Sequence, residues 1–187
     1  MLSKFWKQLN GLLARPALGL ASTTRATTIA LDPKQLRELV IRPALTEIEL
    51  WSEAAEKLVL GTAIVESRLA FIKQLGSGPA LGLWQIEPDT HRDVYENFLE
   101  YREGLYDQVL SLSAPGQSFE ENLTSNMQYG AAICRLCYYR APEALPDEGD
   151  LQGQARYWKR YYNTPLGAGT EGKYIAEVEE KLRASDA

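Results

Sequence analysis

Beyond residue 31 the hydrophobic positions recur with a helical period. Asp32-Pro33 makes an N-cap and first-position pair, Leu36, Leu39 and Val40 share a face, and Pro43 is expected to interrupt the helix they form. Ser52 is placed to cap a second helix with Glu53 and Glu56 in its first turn. That helix continues through Leu58-Val59-Leu60-Gly61-Thr62-Ala63-Ile64-Val65 and delivers Glu66 at its end. A helix with no polar face reads as buried. Pro88-Asp89-Thr90 starts another helix, residues 121–139 read as one long helix, and residues 152–162 carry Tyr157, Trp158, Tyr161 and Tyr162 on a further one. A last helix begins near Glu171, with Tyr174, Val178 and Leu182 at i, i+4 and i+8. Only Gly76 to Ile86 suggests strand, as a short hairpin. The pattern predicts a mainly α fold, with one domain over residues 31–187 behind a tail of residues 1–30.

Glu66 is where this pattern meets chemistry. Burial and the negative end of a helix both disfavour a carboxylate, so its pKa should rise, and a carboxyl protonated near neutral pH is a general acid. The Gly76-Ser77-Gly78-Pro79 turn, with Gly82 beyond it, lets backbone approach a ligand, and Gln85 offers an amide there. An acid at a helix end with its head in water is the plain alternative for Glu66 taken alone.

Glu66-Ser67, Gly82-Leu83-Trp84-Gln85-Ile86, Pro88-Asp89-Thr90, Asn126-Met127-Gln128-Tyr129-Gly130-Ala131 and Tyr161-Tyr162-Asn163 follow one another in an order that resembles the lytic transglycosylases and goose-type lysozymes. The resemblance covers roughly Glu53 to Tyr174. It implies a lysozyme-like fold in which Glu66 is the one catalytic acid. It also implies that Ser67, Trp84, Gln85, Tyr162 and Asn163 line the sugar cleft, with Tyr174 adding a hydroxyl. The chain departs from the family at Trp84, where Met is usual, at Tyr161, where a small residue is usual, and in the Thr164 to Gly169 loop.

Charge and composition narrow the partners. The net charge is −5, yet residues 1–28 hold Lys4, Lys7, Arg15 and Arg25 and no acid, leaving 16 basic against 25 acidic residues beyond them. An acidic body argues against nucleic acid as the main partner. Phe5, Trp6, Leu9, Leu12 and Leu13 recur at helical spacing with Lys4 and Lys7 among them, so residues 1–28 read either as a basic amphipathic segment suited to a membrane or a virion protein or as a loosely docked tail. Arg15-Pro16 interrupts it, which argues against a cleaved signal peptide. Cys134 and Cys137 share a helix face, and with His91 as the sole histidine they read as buried thiols and not as metal ligands. No cofactor or metal is implied. Of the aromatic residues, Tyr138, Tyr139, Tyr157 and Trp158 read as helix core, and Trp84 and Tyr162 as cleft wall.

One acid in place of two shapes the mechanism that the resemblance implies. Ordinary glycosidases use a pair of carboxylates. The lytic transglycosylases use a single Glu, first as acid toward the glycosidic oxygen and then as base toward the C6 hydroxyl, with help from the substrate's N-acetyl group. The expected substrate is the glycan strand of peptidoglycan, cut with a 1,6-anhydro product. Two other readings stay open. One is a hydrolytic muramidase with Glu53, Glu87 or Asp89 positioning a water. The other is a non-enzymatic docking protein of a phage particle. A phage virion or the bacterial envelope is the expected setting for the enzyme.

Overall fold

A computed structural model describes residues 30–164 and 167–185, so the basic N-terminal segment, residues 1–28, lies outside the described residues. The chain is mainly helical. Asp32 caps α1 (Pro33–Leu36) by accepting a bond from the Gln35 N–H at 2.8 Å. Pro43 does not end this helix as expected. The chain widens into a π turn over Arg37–Ile41, where the Arg42 N–H reaches the Arg37 carbonyl, and α2 (Arg42–Glu47) resumes with Pro43 in its first turn. The wide turn accommodates a ring that has no N–H to give and would collide with a carbonyl four residues back.

The second helix, α3 (Glu53–Ser67), is the centre of the fold. Ser52 Oγ accepts the Ala55 N–H at 3.1 Å to start it. Every residue from Leu58 to Val65 is buried, against the π turn and the three helices named next. These are α7 (Met127–Tyr139), α8 (Leu151–Tyr161) and α9 (Glu171–Ser185). Full burial of a large apolar side chain contributes about 1.5–3 kcal/mol, so this apolar run anchors the domain.

Three elements differ from the sequence pattern. The helix expected over residues 121–139 is two, α6 (Phe119–Ser125) and α7, because Asn126 leaves helical geometry at φ −115° and ψ 94°. Its Oδ1 accepts the Tyr129 N–H at 3.1 Å and its Nδ2 donates to the Leu112 carbonyl at 2.7 Å, so it caps α7 and pins the preceding loop. The expected hairpin is reduced to two isolated bridges, Lys73 with Leu81 and Leu81 with Ile86. After α4 (Pro88–Asn97) comes α5 (Glu103–Ser111), a helix the pattern had not announced. On α9, Tyr174 and Val178 are buried as their spacing predicts, while Leu182 is 40% exposed.

His91 stacks between the rings of Tyr95 and Phe119, and its Nε2 lies 2.6 Å from the Tyr129 hydroxyl. Burial pushes its pKa down to about 4, which keeps the ring neutral. Cys134 and Cys137 are free, buried thiols on α7, with pKa values raised by burial. Tyr139, expected in the core, is 46% exposed.

Candidate active site

Glu66 occupies the last turn of α3 and keeps partial access to solvent, although the seven residues before it are buried. The indole N–H of Trp158, from α8, donates to Glu66 Oε1 at 3.0 Å. Burial raises the Glu66 pKa to about 7; the Trp158 bond and the charge of Lys173 oppose the rise, and the charge of Glu177 adds to it. A carboxyl at a helix C-terminus also meets the negative end of the helix dipole. The fold therefore favours the protonated form of this acid well above the ordinary carboxylate range.

Segments of the sequence motifs come together through Trp84. Its indole N–H donates to the Val59 carbonyl of α3 at 2.9 Å. The Tyr162 hydroxyl, at the end of α8, donates to the Trp84 carbonyl at 2.6 Å. On α7, Gly130 lies so close to the Trp84 ring that a Cβ there would stand 2.9 Å from Cε3. Gly82, at φ 72°, brings the same turn against the Leu123 carbonyl, where a side chain has no room. Tyr162 stacks on Tyr138 at 5.4 Å, and the Tyr138 hydroxyl lies 2.7 Å from Thr62 Oγ1, one helical turn before Glu66.

The backbone is unusual at the same places. Five non-glycine residues among those described have positive φ, and four of them, Arg68, Leu69, Gln85 and Thr164, flank Glu66, sit in the Gln-bearing turn or follow Asn163. Strained backbone of this kind persists where surrounding structure over-determines it, often at functional sites.

The other residues expected in the cleft have differing placements. Trp84 is 1% exposed and is a core side chain, because its ring fills the space left by Gly130. Tyr174 is fully buried behind Trp158, with ring centroids 5.3 Å apart, so it backs the site and does not face it. Ser67 is buried too; its hydroxyl donates to the Ala63 carbonyl at 2.8 Å and accepts the Leu69 N–H at 3.2 Å, which closes the helix end. Gln85 is partly exposed, its amide donating to the Gly82 carbonyl of its own turn at 2.8 Å. Asn163 is also partly exposed and its Oδ1 accepts from Lys159 Nζ at 2.9 Å. Glu53, a candidate water-positioning residue, lies at the opposite end of α3, about 20 Å along the axis from Glu66.

Two residues escaped the sequence reading. Trp158 looked like core, and its hydrogen bond to Glu66 spans 92 positions, a pairing that no local pattern carries. Lys159 donates to Asn163 Oδ1 and to the Thr164 and Gly167 carbonyls, all within 2.9 Å, and so clamps the loop after α8. A basic residue in the last turn of a helix is a weak signal for such a role. The two shallow depressions described on the surface lie elsewhere, one bordered by Ile48, Arg102 and Tyr139, the other by Val40, Asn126 and Met127. No family model, curated protein or solved structure matches the chain.

Proposed function

We propose that this chain is a peptidoglycan lytic transglycosylase with a lysozyme-like fold, in which Glu66 is the single acid and base. The observation that carries the reading is the state of Glu66: a partly accessible carboxyl at the end of a buried helix, held by one neutral donor, with its pKa raised to about 7. A pKa near the working pH suits a group that must both give and retake a proton. The convergence of α3, the Gly82 to Ile86 turn, α7 and Tyr162 around Trp84 supports the same reading.

In the reaction Glu66 gives its proton to the glycosidic oxygen, the bond from that oxygen to the anomeric carbon breaks, and the electron pair stays on the departing sugar. The N-acetyl oxygen of the remaining sugar bonds to the anomeric carbon. Glu66, now a carboxylate, takes the C6 hydroxyl proton as that oxygen displaces the N-acetyl group, which closes the 1,6-anhydro ring. Gln85 and Asn163 offer amides to the glycan. Tyr162 fixes the turn that bears Gln85, and residues 1–28 dock the enzyme on a membrane or virion surface.

Glu66→Gln should cut wall degradation 10²- to 10⁴-fold while thermal unfolding stays at or above the wild-type temperature. Retained activity in that variant would remove Glu66 from the mechanism. The mass of the disaccharide-peptides released by the wild type decides the reaction: anhydro ends, one water lighter than hydrolysed ends, are expected. Reducing ends would make the protein a muramidase.

A further inference from the structure

The contact between Trp158 and Glu66 has a chemical polarity. An indole N–H donates and accepts nothing, so the oxygen it touches must present a lone pair in both protonation states of the carboxyl. That oxygen is Oε1, at 3.0 Å. A hydroxyl oxygen is a poorer acceptor than a carbonyl oxygen, so a proton on Oε1 would weaken this contact and one on Oε2 would keep it. We propose that Trp158 is the positioning residue of the site: its N–H occupies Oε1 and so makes Oε2 the oxygen that carries, delivers and retrieves the proton. The assignment rests on the reading of Glu66 as the acid and base.

Trp158 is well placed to hold this geometry. It is 1% exposed, with one flank on Tyr174 and another on Gly169, where a Cβ would collide with its ring. The clamp that Lys159 makes on Thr164 and Gly167 holds the loop that carries Gly169. A ring packed in this way cannot follow the carboxyl if the carboxyl rotates, so the bond fixes the carboxyl plane. When Oε2 gives its proton to a glycosidic oxygen, the charge that develops spreads to Oε1, where the N–H is already in place and becomes a stronger, charge-assisted bond. Trp158 is too buried to touch substrate and acts only through Glu66.

Other groups share the neighbourhood of Glu66. Cys134 and Tyr138 on α7 and Tyr162 at the end of α8 feel the Glu66 charge and are kept neutral by burial. Lys173 and Glu177 act from α9 with opposite signs. Arg68, just beyond α3, pairs with Glu177 at 3.8 Å, and Arg37 and Arg42 of the π turn and α2 are engaged with Glu56 at the far end of α3.

The test follows the Trp158 indole ¹⁵N–¹H resonance from pH 4 to pH 9 in the wild type and in Glu66→Gln. A single transition with its midpoint near 7 is expected in the wild type, and a flat response in the variant. A resonance that stays flat in the wild type, or that still moves in Glu66→Gln, overturns the proposal. Trp158→Phe keeps an aromatic ring and deletes the donor. Its kcat should fall about tenfold, the scale of one charge-assisted hydrogen bond, with KM unchanged. The alkaline limb of its pH profile should move upward, because the lost bond favoured the carboxylate. Unchanged kcat and an unmoved limb in a folded variant would also overturn it; should Trp158→Phe fail to fold, the resonance test decides by itself. A wild type inert on every wall preparation but with a titrating indole would sink the enzymatic reading and leave the oxygen assignment standing.

Discussion

Helix α3 carries two glutamates whose side chains accept a tryptophan N–H, and the fold shifts their pKa values in opposite directions. Glu56, in the first turn, is 1% exposed; Trp51 donates to its Oε2 at 2.7 Å, and Arg42 reaches both of its oxygens at 2.8 and 2.9 Å. Burial by itself would raise its pKa, but the bonds from Arg42 and Trp51 and the charges of Arg42 and Arg37 outweigh burial and lower it. Glu66, in the last turn, has the tryptophan bond and, among the described residues, no bidentate arginine, and its pKa climbs to about 7. The helix dipole favours the charge on Glu56 and opposes it on Glu66. An indole bond common to both cannot explain the difference. Arginine pairing and helix end do, and they separate a structural carboxylate from a candidate catalytic acid.

The largest effect expected from perturbing this pair is on Glu56. Glu56→Gln strips Arg42 and Arg37 of their carboxylate and should lower Tm by roughly 5–10 °C at neutral pH. Because the Glu56 pKa is depressed in the fold, its contribution is present above the unfolded value and lost as pH falls through the folded one. The Tm deficit of the variant should therefore shrink in acid. A thermal scan that shows no deficit at pH 7 would mean that the arginine cluster is decorative.

Glu66→Gln should move stability the other way. Glu66 has a raised pKa, so its wild-type stability is full below the unfolded value near 4.5 and falls as pH rises through about 7. Gln does not ionise. The variant should match the wild type near pH 4 and gain roughly 2 kcal/mol by pH 8, after discounting for partial exposure. Parallel denaturant curves at the two pH values read this directly, and a constant difference would contradict the raised pKa. The smallest effect is expected from Glu177→Gln, which removes a like charge from the neighbourhood and should move the Glu66 titration slightly downward. An upward move would assign Glu177 a different role.

The comparison also shows what could be read from sequence. The caps at Asp32 and Ser52, the proline start at Pro88 and the burial of the run from Leu58 to Val65 are local features, and local patterns carry them. The raised pKa of Glu66 was legible for the same reason, since burial and helix end both follow from its place in the chain. What sets Glu56 apart was not legible, because Arg42 stands 14 positions away and faces it only once the π turn has let the helix pass Pro43. Trp84 was misplaced as a cleft wall because the vacancy that buries it lies at Gly130, on another helix. Asn126 looked like a helix interior position, and its role as a cap depends on the Leu112 carbonyl. Trp158 hid among core aromatics for a similar reason: its ring is core and only its N–H reaches Glu66.

The measurement closest to the central claim is a carboxyl ¹³C titration of glutamate-labelled protein, with Glu56 and Glu66 assigned through their Gln variants. Glu66 should titrate with a midpoint near 7, while Glu56 should titrate below the ordinary carboxylate value. A Glu66 midpoint near 4.5 would show an ordinary solvated carboxylate at a helix end, and the account of it as the acid of a lytic transglycosylase would lose its physical basis.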